Sequence, residues 1–250
     1  SHAAVLVGNG VAKEGVNLTN MKVLGIETSG LVGSVALCED SGVLAEKSFE
    51  KGMRHGKALV SSLEDMFQGL GLEPEEIDLI AISHGPGSYT GLRVGVTCAK
   101  VLAYTLGKPL VAVPTLDVLA ENAPPKEMAI CPVLDARRKQ VYACIYKRSG
   151  AMWQRSSKPM VIYPQKLLEM LPRPVLTFGD GTTVYKEVFT ADGVTFGGDE
   201  MGVARARVVA RLGKKVFDKG EISDPYLLQP LYLRVSEAEE KWEARRMQGS

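Results

Sequence analysis

Residues 85–95 read Gly-Pro-Gly-Ser-Tyr-Thr-Gly-Leu-Arg-Val-Gly, and they lead from one apolar segment into a second one of different pattern. The preceding segment, residues 77–83, is a continuous apolar run, which is typical of a buried strand in a parallel sheet. The following segment, residues 90–106, has almost no polar face. It predicts a helix that is covered on two sides, by its own sheet and by another helix or chain. A strand, a glycine-rich turn and a helix in this order indicate an α/β fold.

The glycine-rich turn has two explanations in terms of its residues. Backbone N–H groups at the start of a helix can bind phosphate, and here Gly85, Gly87 and Ser88 would make that contact. Alternatively, Ser88 or Thr90 is an N-cap and the glycines are present because they adopt positive φ. Both explanations remain open on the sequence alone.

The segments before this turn predict three strands and a helix, and the segments after the second long helix predict one strand and one short helix. Residues 22–27, 33–38 and 43–49 are short apolar strands joined by turn residues, which predicts an antiparallel meander. Residues 55–70 carry an apolar stripe at helical spacing, and residues 110–113 and 115–122 add a strand and a short helix after the second long helix. The stripe on the first helix consists of Leu59, Leu63, Met66, Phe67 and Leu70.

The break at Ala123-Pro124-Pro125 is the best internal boundary, because the pattern of strands followed by helices starts again after it. Two such blocks predict a duplicated α/β unit in which each unit has a mixed sheet. We divide the chain into an added leader (1–20), a first lobe (21–122), a second lobe (123–235) and a charged tail (236–250). The second block contains predicted strands at 129–135, 140–147, 152–160 and 175–179, a helix at 164–171, and a helix at 203–217 that can pack back on the first lobe.

The composition is that of an ordinary soluble globular protein, with 45% hydrophobic and 24% charged residues. A net charge of +1 creates no long-range field, so neither nucleic acid nor a membrane is favoured as a direct partner. The four cysteines, at positions 38, 98, 131 and 144, show no CxxC spacing, which favours a reducing cytoplasm. No apolar run approaches the roughly 18 residues that a membrane span needs.

The turn at 85–95 closely resembles the GPGSFTGLRIG signature of the TsaB (YeaZ-like) family. Further matches follow in order from residue 21 to about residue 234: Ile26-Glu27-Thr28-Ser29, Arg54-His55, Pro114-Thr115-Leu116, Asp135-Ala136-Arg137-Arg138 and Tyr232-Leu233-Arg234. Two departures are Glu27 in place of the usual Asp, and Gly56-Lys57-Ala58 in place of Ser-Glu-Glu.

This resemblance implies a two-lobed fold of the actin/Hsp70/sugar-kinase type, built from duplicated ribonuclease-H-like units. It implies a scaffold that pairs with TsaD and TsaE for N6-threonylcarbamoylation of tRNA adenosine next to the anticodon. The implied scaffold reaches tRNA only through the complex, does not contact a membrane, and forms a homodimer when it is alone. The expected interface residues lie on the first two helices: Leu59, Leu63, Met66, Phe67, Leu92, Val96, Ala99, Leu102 and Ala103.

In ATP-binding members of this fold, two turns face each other across a cleft and hold phosphates. Thr28, Ser29 and Gly181 stand in such turns here and join Gly85, Gly87 and Ser88 as candidate phosphate contacts. We expect no cofactor in the isolated chain, with ATP or ADP binding at the interface shared with the partner. An independent ATP-dependent phosphotransferase of the same fold is the alternative.

Other catalytic chemistry lacks residues in the required pattern. The catalytic paralogue binds metal through an HxxxH pair, whereas this chain has only His2, His55 and His84 and no such pair. Glu27, Asp135 and Asp180 could serve a two-metal nuclease only if they converged, and we expect them to cap turns instead. Ser88 is not in a GxSxG elbow. The sequence therefore predicts a non-catalytic subunit without a metal site.

Overall fold

We describe the protein from a computed structural model that covers residues 5–7, 11–13, 20–40, 42–50, 55–126 and 128–234. Most of the predicted leader and the whole predicted tail, 236–250, lie outside the described residues. Two short strands in the segment predicted to be a leader, β1 (Val5–Val7) and β2 (Val11–Lys13), pair antiparallel with each other. The remaining described elements form two lobes, each built on one β-sheet.

The first lobe contains a five-stranded mixed sheet in the order β5-β4-β3-β6-β7. Strand β3 pairs antiparallel with β4, and β4 with β5, which confirms the predicted meander. Strand β6 lies parallel to both β3 and β7, as its unbroken apolar sequence predicts. The strands are β3 (Lys22–Glu27), β4 (Val32–Glu39), β5 (Gly42–Glu50), β6 (Leu79–Ser83) and β7 (Leu110–Val113).

Three helices accompany this sheet: α1 (His55–Leu70), α2 (Tyr89–Leu106) and α3 (Thr115–Ala120). Helices α1 and α2 share one core with the sheet, because apolar side chains of both pack with Leu24, Ile26 and Ile80. Helix α2 ends at Gly107, which adopts the left-handed conformation (φ 63°) and donates its N–H to the carbonyl of Ala103.

The opposite face of the first-lobe sheet is covered by α7 (Ala206–Phe217), the last helix of the described chain. The N–H of Ala206 donates to Ser34 Oγ on β4 at 3.0 Å. Midway along α7, a Cβ on Gly213 would lie 2.4 Å from the Cβ of Ala81 on β6, so only glycine lets the helix approach this closely. The chain therefore returns from the second lobe to complete the core of the first.

The second lobe contains a mixed sheet whose central strands β8 and β13 run parallel. Helix α4 (Pro164–Met170), the short helices α5 (Asp180–Val184) and α6 (Lys186–Phe189), and a 3-10 turn at Asp199–Gly202 complete it. Its strands are β8 (Ala129–Asp135), β9 (Val141–Ala143), β10 (Tyr146–Ser149), β11 (Met152–Arg155), β12 (Met160–Ile162), β13 (Val175–Phe178) and β14 (Val194–Phe196).

The predicted single strands 140–147 and 152–160 are wrong, because each is divided in two. The N–H of Ile145 donates to Ser157 Oγ, and its carbonyl accepts from the N–H of Ser156 at 2.7 Å. These bonds replace ladder bonds, so the strand breaks at this point. As a result β9 pairs with β12, while β10 pairs with β11. Alternating apolar residues continue across the break, and the sequence pattern does not reveal it.

Candidate functional site

The glycine-rich turn between β6 and α2 uses its hydrogen-bonding groups within the chain. The N–H of Ser88 donates to the carbonyl of Ser29 at 2.7 Å. Ser88 is the N-cap of α2, since its Oγ accepts from the N–H of Gly91 at 3.3 Å. Thr28 Oγ1 in turn donates to the carbonyl of Gly91 at 2.8 Å. The N–H groups of Ser88 and Gly91, which a phosphate would need, are therefore already bonded to the protein.

The glycines of this turn allow it to pack directly on the turn after β3. A Cβ on Gly91 would lie 2.0 Å from the carbonyl oxygen of Thr28, and one on Gly87 would lie 2.5 Å from that of Ser29. Real Cβ atoms do not approach an oxygen this closely, so both positions require glycine in this packing. These contacts favour the second explanation of the turn, in which the glycines serve the fold.

The six candidate phosphate contacts do not line one open surface. Thr28, Ser29 and Gly85 are buried, while Gly87 and Ser88 are partly buried around the same contact between β3 and α2. Gly181 lies on the second lobe, where a Cβ would be 2.8 Å from Val133 Cγ1. It is buried against β8 and contributes to the packing of that lobe.

Glu27, at the end of β3, is fully buried and is committed to the same turn. Its Oε1 accepts from both the N–H and the Oγ of Ser29. Burial raises the pKa of the Glu27 carboxyl above its ordinary value, and hydrogen bonds from Ser29 and Ser83 oppose that shift. Its Oε2 has no hydrogen-bond partner among the described residues. Glu27 therefore organises the backbone after β3.

The three carboxylates considered for a nuclease occupy separate places. Glu27 is in the first lobe, whereas Asp135 and Asp180 are neighbours in the second, where Asp180 Oδ1 accepts from the N–H of Asp135 at 2.9 Å. Asp135 itself accepts from the N–H of Arg137, which is the turn-capping role expected from the sequence. Within the described ranges, no three His, Cys, Asp or Glu side chains are grouped so that they could hold a metal ion.

The histidines are also separated. His84 follows β6 and is partly buried, and burial lowers the pKa of its imidazole. Its backbone N–H donates to the carbonyl of Val113 at 3.1 Å. His55 begins α1 with a side chain outside the described residues, and His2 lies outside them altogether.

An open apolar groove with a volume of about 1050 Å³ runs between α1 and α2. Val60 of α1 and Val101 of α2 line it with 50% and 57% of their surface exposed, and the partly exposed Val94 and Leu102 lie beside them. Single exposed apolar side chains are ordinary, but several along one groove mark a surface that another molecule covers. The groove is also lined by Leu59, Leu63 and Phe67 on α1 and by Val94, Thr97, Cys98 and Leu102 on α2.

Four of the nine predicted interface residues line the groove, namely Leu59, Leu63, Phe67 and Leu102. An apolar stripe identifies the face that packs on the helix's own sheet, so its members are largely removed from the surface. Leu102 alone of the nine is partly exposed, and the exposed apolar surface of the groove comes from Val60 and Val101, which were not predicted. The buried eight are Leu59, Leu63, Met66, Phe67, Leu92, Val96, Ala99 and Ala103.

The other flank of α2 is covered by the C-terminal strap, which we define as residues 223–234. The N–H of Ser223 donates to the carbonyl of Leu110, and the N–H of Leu231 donates to that of His84 at 2.7 Å. Lys100 Nζ on α2 donates to the carbonyl of Leu228 at 3.0 Å. The strap thereby holds the flank of α2 next to the groove, a role that the sequence does not reveal.

Aromatic contacts fix the strap at both ends of α2. Tyr232 stacks on Tyr89 with ring centroids 4.8 Å apart, and the guanidinium of Arg93 lies 4.4 Å from the centroid of Tyr89. Near the other end, Tyr226 meets Tyr104 edge to face. None of the described helices is long and apolar enough to cross a membrane.

The chain is similar to proteins whose names refer to threonylcarbamoyl modification of tRNA. The family described as "TsaD: tRNA N6-adenosine threonylcarbamoyltransferase" matches residues 42–242. The "tRNA threonylcarbamoyladenosine biosynthesis protein TsaB" of Bacillus subtilis (strain 168) is 34% identical over 230 residues, which are 89% of this chain and 98% of that protein. The protein of the same name from Escherichia coli (strain K12) is 28% identical over 228 residues, which are 88% of this chain and 98% of that protein.

A solved structure supports the fold. YeaZ from Pseudomonas aeruginosa superposes with a TM-score of 0.74 at 24% sequence identity, covering 85% of this chain and 100% of that one. The predicted α/β architecture with two mixed sheets flanked by helices is confirmed, and so is the predicted likeness to YeaZ.

Proposed function

The chain belongs to the TsaB family, within the broader family described by TsaD, and on this premise we propose that it is a non-catalytic subunit in tRNA threonylcarbamoyladenosine biosynthesis. In this proposal it acts with TsaD and TsaE in the N6-threonylcarbamoylation of tRNA adenosine next to the anticodon. The observation that carries the proposal is an open apolar groove between α1 and α2. The glycine-rich turn that precedes α2, by contrast, has its hydrogen-bonding groups bonded within the chain.

The contacts around the turn support a structural role for this chain. Phosphate binding at a helix N-terminus needs unbonded N–H groups and room for the anion. At α2 the N–H groups of Ser88 and Gly91 are bonded to Ser29 and Ser88, and the backbone of Thr28 and Ser29 fills the space beside the glycines. We propose that ATP or ADP binds at the interface shared with TsaD rather than to the isolated chain.

The groove supports docking of TsaD along α1 and α2. Because the TsaD family description matches residues 42–242 of this chain, TsaD and this chain have related domains and thus comparable helix pairs. Two related helix pairs can meet around a twofold or near-twofold axis, with each pair covering the groove of the other. When TsaD is absent, a second copy of this chain takes its place and a homodimer forms.

The residues also support a cytoplasmic protein. Cys38, Cys98, Cys131 and Cys144 are all free thiols in the fold, which suits a reducing compartment.

A charge placed in the groove tests the docking surface. Val101→Asp puts a carboxylate on the exposed face of α2, where docking would bury it without a partner. We expect loss of co-purification with TsaD, loss of tRNA modification in the reconstituted system, and a monomer by light scattering. Val184→Asp is the matched control, because Val184 is equally exposed (58%) but lies on the second lobe.

Two outcomes would overturn the proposal. One is tRNA that is modified equally well with TsaD and TsaE alone. The other is clear calorimetric binding of ATP with Mg²⁺ to the isolated chain, which would favour an independent phosphotransferase.

A further inference from the structure

The turn between β8 and β9 has an unusual backbone. Three successive residues, Arg137, Arg138 and Lys139, have positive φ angles of 62°, 49° and 61°. L-residues avoid this conformation because their Cβ approaches the following carbonyl oxygen, and glycine or asparagine normally takes such positions. Here all three residues are basic and exposed. A sequence that served only to reverse the chain would not need three cations at these positions.

Two carboxylates hold the turn, one from the partly buried Asp135 and one from the exposed Asp180. Asp135 Oδ1 accepts from the N–H of Arg137 at 2.9 Å, and Asp135 Oδ2 lies 3.2 Å from the guanidinium of the same residue. Asp180 Oδ1 fixes Asp135 by accepting its N–H at 2.9 Å. The left-handed backbone is thus stabilised by its surroundings, and the positions of the basic side chains are set in advance.

Two further contacts fix the turn from its sides. Arg234, at the end of the C-terminal strap, donates from Nη1 to the carbonyl of Ala136 at 2.9 Å. The hydroxyl of Tyr185 donates to Asp135 Oδ1 at 3.4 Å and lies near the backbone of Lys139. Tyr142 also lies near Arg234 and Asp135. Two partly exposed tyrosine rings therefore stand beside the basic turn.

The basic residues of α7 differ from those of the turn. Arg207 pairs with Glu46, Arg211 with Glu121, and Lys214 with Asp218, so that surface is largely neutralised within the chain. At the turn, Arg137 shares Asp135, and Lys139 has no ion pair among the described residues. Three exposed cations therefore stand next to one another in the chain at this turn, close to the carboxylates of Asp135 and Asp180.

We propose that the β8–β9 turn, with Tyr142 and Tyr185 beside it, is a direct RNA-binding surface. Guanidinium and ammonium groups contact phosphates of the RNA backbone, and the planar guanidinium of arginine does so through two parallel hydrogen bonds. Aromatic side chains offer a face on which unpaired bases stack. The proposal goes beyond the proposed function, in which tRNA is reached only through the complex, and it does not depend on the groove.

The test measures binding of a labelled tRNA transcript to the full chain by fluorescence anisotropy at several salt concentrations. For Arg138→Ala/Lys139→Ala we expect affinity to fall roughly fivefold or more, and the slope of log K against log salt to decrease in magnitude by about 1–2. Lys215→Ala/Lys219→Ala is the matched control, because it removes two exposed cations at the end of α7. Its affinity should stay within about twofold of the unsubstituted chain.

A second variant separates binding from folding. Lys139→Gly removes one cation and suits the left-handed backbone, so it should fold at least as well as the unsubstituted chain and still bind RNA more weakly. Three results would overturn the proposal. They are an unsubstituted chain that does not bind the transcript, a double variant that binds like its control, and a double variant that loses capture of TsaD or TsaE while its RNA affinity is unchanged. The last would make the turn a contact for an acidic protein surface. Val101→Asp, which tests the groove, should leave RNA affinity unchanged, so the two proposals fail separately.

Discussion

Gly91→Ala tests whether the glycine-rich turn is present for close packing. Gly91 lies in the first turn of α2, and a Cβ there would be 2.0 Å from the carbonyl oxygen of Thr28. An acceptable contact begins near 3.0 Å, so the strand end and the helix must separate by about 1 Å. Thr28 is buried and its backbone follows β3, so neither side can rotate away.

The expected cost combines overpacking with weakened hydrogen bonds. Overpacking a well-packed site costs about 1–3 kcal/mol. A shift of this size also lengthens the bond from Thr28 Oγ1 to the Gly91 carbonyl, which contributes about 0.5–1.5 kcal/mol. We therefore expect the free energy of unfolding to fall by about 2–4 kcal/mol. For a chain of this size that corresponds to a decrease in Tm of roughly 5–15 °C.

The assay is thermal unfolding followed by circular dichroism, with urea unfolding as an independent measure. Gly69→Ala is the matched control, since Gly69 is also in a helix but a Cβ there meets no atom within 4 Å. It should be neutral or stabilising by up to about 1 kcal/mol. If Gly91→Ala melts within about 2 °C of the unsubstituted chain, the close-packing explanation of the turn is wrong.

Three further predictions concern single side chains. Because burial raises the pKa of Glu27, its stabilising contribution is complete below the unfolded pKa near 4.5 and is lost as pH rises through the folded pKa. The Tm of Glu27→Gln should therefore decrease less than the Tm of the unsubstituted chain when the pH is raised from about 5 to about 8. An equal decrease of Tm with pH in both proteins would contradict this. Lys139→Gly should raise the free energy of unfolding by up to about 1 kcal/mol in urea titrations, because glycine adopts positive φ without the steric cost that lysine has there. A decrease in the free energy of unfolding would contradict this prediction. Asp117→Ala should cost about 1–3 kcal/mol by urea unfolding, since the buried Tyr146 hydroxyl, 2.7 Å from Asp117 Oδ1, loses its acceptor. Adding Tyr146→Phe should recover part of that loss, and no recovery would show that the hydroxyl is satisfied elsewhere.

Much of the fold follows from local patterns in the sequence. The stripe on α1, the continuous apolar run of β6 and the glycine that ends α2 each predict an element from a few neighbouring residues. The division of the predicted strand 140–147 does not follow, because it depends on Ser157, which reaches Ile145 from the far side of a hairpin. A bond between residues so placed leaves no periodic signal.

The candidate sites divide in the same way. The sequence predicts that α1 and α2 meet a partner, and it selects their most regular apolar positions. Eight of these nine are buried, although Leu59, Leu63, Phe67 and the partly exposed Leu102 also line the groove. Val101 and Tyr104 are exposed because the sheet covers another side of α2. A helical wheel by itself does not show which side of a mostly apolar helix faces the sheet. The basic turn was recognised only as part of a family match, because its φ angles depend on Asp135, Asp180 and Arg234.

The sequence by itself determined the α/β class, the two blocks of strands and helices, and the family to which the chain belongs, because each depends on residues that are close together in the chain. The tertiary structure decided what the segment at 85–95 does. Its glycines are compatible with a phosphate cradle or with tight packing, and the choice depends on what lies against them. The backbone of Thr28 and Ser29, about 60 residues earlier in the chain, occupies that space. Close approach between distant segments is a property of the folded chain, since it arises only when β3 and β6 pair and bring their ends together.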